Sequence, residues 1–175
     1  MRANLDTQRD LRSGHGSRQS KDGDRLPSDV TLEPVRRRDF ELSYACLLVT
    51  RTSDHSLNGK VGGFLKSTLQ DIAKTFGWRV DFIEVEAEYM QWVISAPAAT
   101  PPSRCIHLIR QQTTKGVQGK FREFRSKDKK TGGTLDIWGP GYLVRVGTSP
   151  HPPDIIQEFI RMTRLKQGLP AGGVY

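Results

Sequence analysis

Four tyrosines supply the only phenol groups in this chain of 175 residues. A phenol can form a phosphotyrosyl intermediate, but only when a neighbouring base or cation activates it. Three of them lie in strand-like segments and the fourth in a loose end: Tyr44, Tyr89, Tyr142 and Tyr175. The histidines share no His-x-His, His-Glu-x-x-His or zinc-finger spacing: His15, His55, His107 and His151. The sequence therefore predicts no metal site and no cofactor that would activate these phenols.

Three glutamates lie close together at one short turn: Glu84, Glu86 and Glu88. Paired carboxylates can perform acid–base chemistry or bind a divalent cation, yet no histidine or aspartate joins this group in the sequence. We interpret the three side chains as solvated charges of a hairpin. The two cysteines, Cys46 and Cys105, have no CxxC partner, and we expect buried free thiols in a reducing compartment.

Positive charge is concentrated between Arg104 and Lys130, where nine basic residues face two acidic ones for a net charge of +7. The chain as a whole carries +8, which favours a polyanionic partner. Lysine, arginine and neutral amide donors on one surface suit a phosphate backbone. The alternative is a solvated helix followed by a flexible loop. The candidate nucleic-acid-binding residues are Arg104, Arg110, Lys115, Lys120, Arg122, Arg125 and Lys127.

The elements that position these groups follow from hydrophobic periodicity. Strands are predicted over 40–51, 78–85, 89–95 and 142–147, and helices over 64–76, 103–124 and 154–166. The glycine-rich segment 59–63 lacks P-loop spacing and is interpreted as a turn. Gly116 and Gly119 predict a kink or break in the second helix. The order predicts an α+β, ferredoxin-like βαββαβ(α) fold, with an antiparallel sheet covered by helices.

The strand at 89–95 alternates at the strand period. Its core face would carry Met90, Trp92 and Ile94, and the opposite face Tyr89, Gln91, Val93 and Ser95. We expect this opposite face to be the one free for chemistry.

The layout resembles the small single-tyrosine HUH transposases of insertion sequences, over roughly residues 40–167. The similar features are the Ser95-Ala96-Pro97 strand exit, the Pro102-Ser103 helix start, the Phe121-Arg122-Glu123-Phe124 helix end and the Gly141-Tyr142-Leu143-Val144-Arg145 strand. In that family a His-hydrophobic-His pair holds a divalent metal, and the last helix carries a nucleophilic tyrosine and, one turn later, a glutamine. These catalytic positions fall here on Tyr89, Gln91, Phe159 and Thr163. The resemblance thus implies a transposase fold whose catalytic groups are replaced.

Three hypotheses follow. The first is a transposase-family DNA-binding protein, catalytically inactive, that recognises single-stranded or hairpin DNA. The second is an RNA-binding module of the RRM type, which shares the βαββαβ order, although the RNP signature is absent. The third is an active DNA transposase with displaced catalytic residues. The resemblance also implies a homodimer.

Composition divides the chain into three predicted parts. Residues 1–39 form a polar tail without aromatic residues and are expected to be disordered, residues 40–167 form the transposase-like domain, and residues 168–175 form a flexible end. No apolar run approaches the roughly 18 residues that a membrane span needs, and we expect a cytoplasmic protein.

Overall fold

The computed structural model describes residues 41–125 and 135–169. The predicted tail 1–39, Lys127, the loop 126–134 and the last residues 170–175 lie outside these ranges. In chain order the elements are β1 (Glu41–Val49), α1 (Lys60–Phe76), β2 (Arg79–Val85), β3 (Tyr89–Pro97), α2 (Pro102–Lys120), a 3-10 turn (Arg122–Phe124), β4 (Leu143–Val146) and α3 (Pro153–Lys166).

The strands form one antiparallel sheet in the order β2-β3-β1-β4. A tight hairpin joins β2 to β3, where the amide of Glu86 donates to the carbonyl of Tyr89 at 2.9 Å. This hairpin makes the two strands antiparallel neighbours, as the short Glu-Ala-Glu turn predicted. The α+β ferredoxin-like fold class is thereby confirmed.

Helices α1 and α2 cover one face of the sheet. Met90, Trp92 and Ile94 of β3 are fully buried on this face and belong to the main core, together with residues of both helices. The free thiols of Cys46 and Cys105 are buried in the same core, as predicted. In the part of the chain that the structure describes, no helix is long and apolar enough to cross a bilayer.

Helix α3 lies over the other face and builds a second, smaller core. Its Ile156 and Ile160 pack with Leu47 and Val49 of β1. The expectation that this face is open is wrong, because the β3 side chains Gln91, Val93 and Ser95 are all buried. A sheet between two helical layers buries both of its faces.

Helix α1 begins at Lys60, so the interpretation of residues 59–63 as a turn is wrong. Val61 and Gly62 already face the core, and a Cβ on Gly62 would lie 2.7 Å from the carbonyl oxygen of Leu57. Glycine is needed here because the preceding loop passes so close to the helix. At the other end, Phe76 is 44% exposed and stacks on Trp78.

Helix α2 runs without interruption to Lys120, which contradicts the predicted break. The ring of Phe64 on α1 explains why residue 116 is a glycine, since a Cβ on Gly116 would lie 2.6 Å from the tip of that ring. The helix ends earlier than predicted because Phe121 is extended and only a short 3-10 turn follows. The N-cap position of the helix is Pro101, and no side chain caps it.

Candidate functional site

The first candidate site lies where β3 begins, at Tyr89 and Gln91. The Tyr89 hydroxyl donates to Glu84 Oε2 at 3.1 Å, and Gln91 Nε2 donates to the same oxygen at 2.5 Å. The two side chains therefore converge on one carboxylate from β2. The interpretation of Glu84 as a solvated hairpin charge is wrong, since it is half-buried and accepts both bonds.

His151, in the segment before α3, binds the carbonyl oxygen of the Gln91 side chain. Its backbone amide donates to Gln91 Oε1 at 3.1 Å, so both ends of the Gln91 amide are engaged. The His151 ring is buried with Nε2 3.1 Å from the carbonyl oxygen of Ala45. Because a carbonyl only accepts, Nε2 carries the proton. Burial lowers the pKa of His151, which favours the neutral ring.

The Tyr89 phenol is held in its protonated form. Burial, followed by the negative charge of Glu84, raises the pKa of Tyr89 to about 12. A phenol with this pKa is almost entirely protonated at neutral pH and is a poor nucleophile. Its structural role as a donor to Glu84 agrees with that state.

The two candidate positions on α3 carry no chemical group that reaches this carboxylate. Phe159 packs against the small core formed by Leu47, Val49, Ile156 and Ile160, which Tyr89 also contacts. Thr163 is buried, and its Cγ2 would lie 2.8 Å from a Cβ on Gly139. The fold thus brings Tyr89 and Phe159 to one core, while Thr163 faces the segment that precedes β4.

A buried arginine fixes α3 beside this site. Arg164 Nη1 donates to the carbonyl oxygen of Thr50 at 2.7 Å, and Nη2 donates to Thr50 Oγ1 at 3.1 Å. The same Nη2 lies 2.9 Å from Glu88 Oε1, so Glu88 is also not the free hairpin charge that was expected. Within residues 41–125 and 135–169, no three metal-ligating side chains are grouped closely enough to hold an ion.

The second candidate site is the basic surface of α2 and the 3-10 turn. Four of its cationic side chains are exposed: Arg104, Lys115, Lys120 and Arg122. Lys120 Nζ lies 4.3 Å from the centroid of the Phe64 ring, a cation–π distance. Arg125 is exposed too, but its guanidinium donates to the carbonyls of Gln118 and Gly119 at the end of α2.

Arg110 differs from the other predicted binding residues because internal partners occupy its guanidinium. It forms an ion pair with Asp136 and donates to the carbonyl oxygens of Trp138, Gly139 and Gly141 at 2.7 to 3.2 Å. This arginine holds the segment before β4 against α2. Arg110 therefore has a structural role in this fold.

Residues 39–163 match the sequence profile of the family described as transposase IS200 like. The chain belongs to this transposase family. The match spans β1 through most of α3, so it includes both candidate sites. The family predicted from the strand exit, the helix boundaries and the last strand is thereby confirmed.

Two solved structures resemble this IS200-like transposase chain. A candidate transposase from Deinococcus radiodurans R1 is 21% identical, with a TM-score of 0.62, over 75% of this chain and 98% of that one. A REP-associated tyrosine transposase bound to a REP hairpin is 15% identical, with a TM-score of 0.46, over 78% of this chain and 75% of that one. At these identities the first likeness supports the fold alone. A search of curated proteins gave no significant match.

Sequence reasoning missed Glu84 and His151 as partners of Gln91. The first could have been found, because a hairpin pairing Glu86 with Tyr89 places Glu84 opposite Gln91 in the register. His151 is sixty residues from Gln91 in the sequence. No local pattern could have linked these two residues.

Proposed function

We propose that this IS200-like transposase chain binds single-stranded or hairpin DNA without cleaving it. The observation that carries the proposal is the shared acceptor at the first site: Tyr89 and Gln91 both donate to Glu84 Oε2. Side chains satisfied in this way are not arranged to hold a cation. A phenol and a carboxamide are also much poorer ligands than a pair of neutral imidazoles.

The absence of a nucleophile at Phe159 supports the same proposal. The resemblance to single-tyrosine transposases places the attacking hydroxyl at this position, and phenylalanine has none. Tyr89, the phenol closest to Glu84, has a pKa raised to about 12 and hydrogen-bonds inward. An active enzyme with displaced residues would need another activated phenol.

The exposed cations of α2 and the 3-10 turn support binding to a polyanion. Arg104, Lys115, Lys120 and Arg122 remain exposed and carry no ion pair with another described residue. Phosphate contacts of this kind release counterions, so affinity falls steeply with salt. DNA rather than RNA is favoured by the family, since transposases act on DNA.

A cleavage assay tests the inactive state. Labelled hairpin and single-stranded DNA are incubated with the full chain in Mg²⁺ or Mn²⁺, and products are separated on a denaturing gel. We expect neither nicking nor a covalent protein–DNA adduct. Nicking that disappears in the Tyr89→Phe variant would overturn the proposal and establish the displaced-residue transposase.

A binding assay tests the DNA interaction separately. Fluorescence anisotropy is measured against single-stranded, hairpin and duplex DNA and matched RNA over a salt series. The Lys120→Gln and Arg122→Gln double variant should weaken DNA binding and reduce the salt slope by about 1 to 2. The matched control, Lys66→Gln with Lys74→Gln, removes the same charge from the exposed side of α1 and should retain affinity.

RNA binding provides the contrasting outcome. If RNA binds without any preference for DNA hairpins, and Tyr89→Ala abolishes that binding, the RRM-type hypothesis replaces ours. The burial of Gln91, Val93 and Ser95 beside Tyr89 argues against this, because RRM domains stack bases on an open sheet.

The proposal includes the homodimer that the resemblance implies and the domain boundaries that composition predicts. A homodimer should appear in light scattering as twice the chain mass. Limited proteolysis should remove the tail before residue 40 and leave a stable domain ending near residue 167.

A further inference from the structure

We propose that a groove between α2 and residues 139–142 binds one unpaired nucleotide of a DNA strand, with the base against the ring of Tyr142 and the phosphate at Arg104. This site rests on the proposed DNA binding and specifies which part of the strand is recognised. It lies outside the Tyr89–Gln91–Glu84 cluster and uses none of its residues.

Two adjoining cavities form the groove. The first has a volume of about 590 Å³ and is lined by Ser103, Arg104, Ile106, His107, Arg110, Gly141 and Tyr142. The second has a volume of about 500 Å³ and is lined by His107, Arg110, Gln111, Thr114, Lys115, Gln118 and Asp136. Because His107 and Arg110 line both cavities, the two cavities adjoin along one side of α2. Each volume lies in the range of about 300 to 1,000 Å³ that small-molecule sites have.

The charge of the groove suits an anionic ligand. Arg104 and Lys115 are exposed at its edges, and Asp136 is the one acidic side chain among the lining residues of the two cavities. That carboxylate is already engaged: Arg110 pairs with it, and Thr114 Oγ1 donates to it at 2.6 Å. The backbone amide of Trp138 adds a third bond at 3.1 Å. The outward-facing charges are therefore positive.

Tyr142 supplies the aromatic surface. Its side chain is 42% exposed and lines the first cavity. Gly141, the residue before Tyr142, has a φ of 86°, a backbone conformation that favours glycine. The bonds from Arg110 to Gly139 and Gly141 fix this segment before a ligand arrives, so little entropy is lost on binding.

The combination of an exposed aromatic ring on a fixed backbone segment and a cation lining the same cavity indicates the ligand class. A nucleobase presents a flat face for stacking, and aromatic platforms beside positive charge are how proteins hold single strands. A base in a duplex already stacks on its neighbours, whereas an unpaired base is available. The groove also offers the side-chain donors His107 and Gln111, which can contact base edges or sugar.

The test compares labelled oligothymidine with an abasic strand that has the same number of phosphates, using fluorescence anisotropy. The wild-type chain should bind oligothymidine more tightly. Tyr142→Ala should weaken oligothymidine binding about tenfold and leave the abasic affinity unchanged, which is the expected effect of losing one stacked base. Tyr142→Phe keeps the ring and should bind within about twofold of the wild type.

Charge variants separate the phosphate contact from stacking. Arg104→Gln should weaken binding to both strands and lower the salt slope by about 0.7. Lys74→Gln, the same charge change on α1 outside both cavities, should not. If Tyr142→Ala fails to fold, Tyr142→Leu keeps the apolar bulk without the aromatic face and replaces it with the same expected outcomes.

The possible failures are distinguishable. Unchanged oligothymidine affinity in Tyr142→Ala, or equal losses for both strands, would overturn the nucleotide site while DNA binding stands. Wild-type protein that binds no DNA at low salt would overturn the proposed function, and the nucleotide site with it.

Discussion

Gln91 and Glu84 face each other across β3 and β2, and the amide of Gln91 donates to Glu84 Oε2 at 2.5 Å. The Tyr89 hydroxyl shares this acceptor. A single carboxylate oxygen thus orients the two side chains that stand at the metal-ligand positions of the family resemblance. This relationship gives the site a structural role that can be measured by stability as well as by activity.

Replacing Tyr89 by phenylalanine should change how the free energy of unfolding depends on pH, because the Tyr89 hydroxyl is lost. Near neutral pH the wild type should be more stable than the Tyr89→Phe variant by about 1 kcal/mol, which is the contribution of one hydrogen bond. Because the folded pKa is about 12 against the usual 10.0, the unfolded chain loses this proton first. The stabilisation is therefore complete below about pH 10 and is lost as pH rises toward 12.

Urea unfolding at a series of pH values measures this difference. The stability gap between wild type and Tyr89→Phe should narrow over the window from about pH 10 to 12. Comparing the two proteins cancels the titration of the other tyrosines and the lysines. A gap that stays constant across the window would contradict the raised pKa.

Introducing two imidazoles at Tyr89 and Gln91 should create a metal site. Tyr89→His with Gln91→His places both rings on one face of β3, next to the Glu84 carboxylate. We expect this double variant to bind Ni²⁺ or Mn²⁺ in calorimetry at least tenfold more tightly than either single variant, because imidazole ligands act as a set. Equal affinity of the double and single variants would show that the side chains do not converge.

The same double variant should still fail to cleave DNA. Phe159 carries no hydroxyl, so metal binding alone supplies no nucleophile. Adding Phe159→Tyr provides the missing group, and a covalent protein–DNA adduct is then the diagnostic product. An adduct formed without Phe159→Tyr would identify a different nucleophile.

Two arginines on α3 should differ sharply in their effect on stability. Arg164 has a side chain only 4% exposed and binds Thr50 and Glu88, while Arg161 is 51% exposed and pairs with Glu158. We expect Arg164→Met to cost about 2 to 4 kcal/mol, because Thr50 loses buried partners. Arg161→Met is the matched control and should leave the unfolding midpoint nearly unchanged. Equal midpoints for the two variants would contradict the anchoring role of Arg164.

Two glycines of α2 offer a similar comparison. A Cβ on Gly119 meets nothing within 4 Å, so Gly119→Ala should stabilise the chain by about 0.5 to 1 kcal/mol through helix propensity. At Gly116 a Cβ would lie 2.6 Å from the Phe64 ring, which packs against Phe121. Displacing that ring should cancel the gain or make the change destabilising.

Thermal unfolding of the two alanine variants gives the comparison directly. The free energy needed to move Phe64 contributes to the difference between them. In a Phe64→Leu background, Gly116→Ala should regain most of the helix-propensity benefit. If Gly116→Ala stabilises the protein as much as Gly119→Ala does, the result would contradict the close contact between Gly116 and the Phe64 ring.

Local patterns in the sequence were sufficient for the fold class. Alternation along Tyr89–Ser95 gave the core face of β3, and the three-residue turn after Val85 required an antiparallel hairpin. The start of α1 was misplaced because residues 59–63 look like a turn. The helix begins at Lys60 because Gly62 packs against the backbone of Leu57, and this contact cannot be inferred from the composition of the segment.

The sequence by itself determined the family, the strand and helix order and the buried thiols, because these depend on residue type and short-range spacing. Only the tertiary structure decided that Tyr89 and Gln91 share Glu84, that His151 meets Gln91, and that Arg110 and Arg164 are held internally. Such contacts join residues far apart in the chain. Their energies come from burial and hydrogen-bond geometry, which exist only once the sheet and helices have packed.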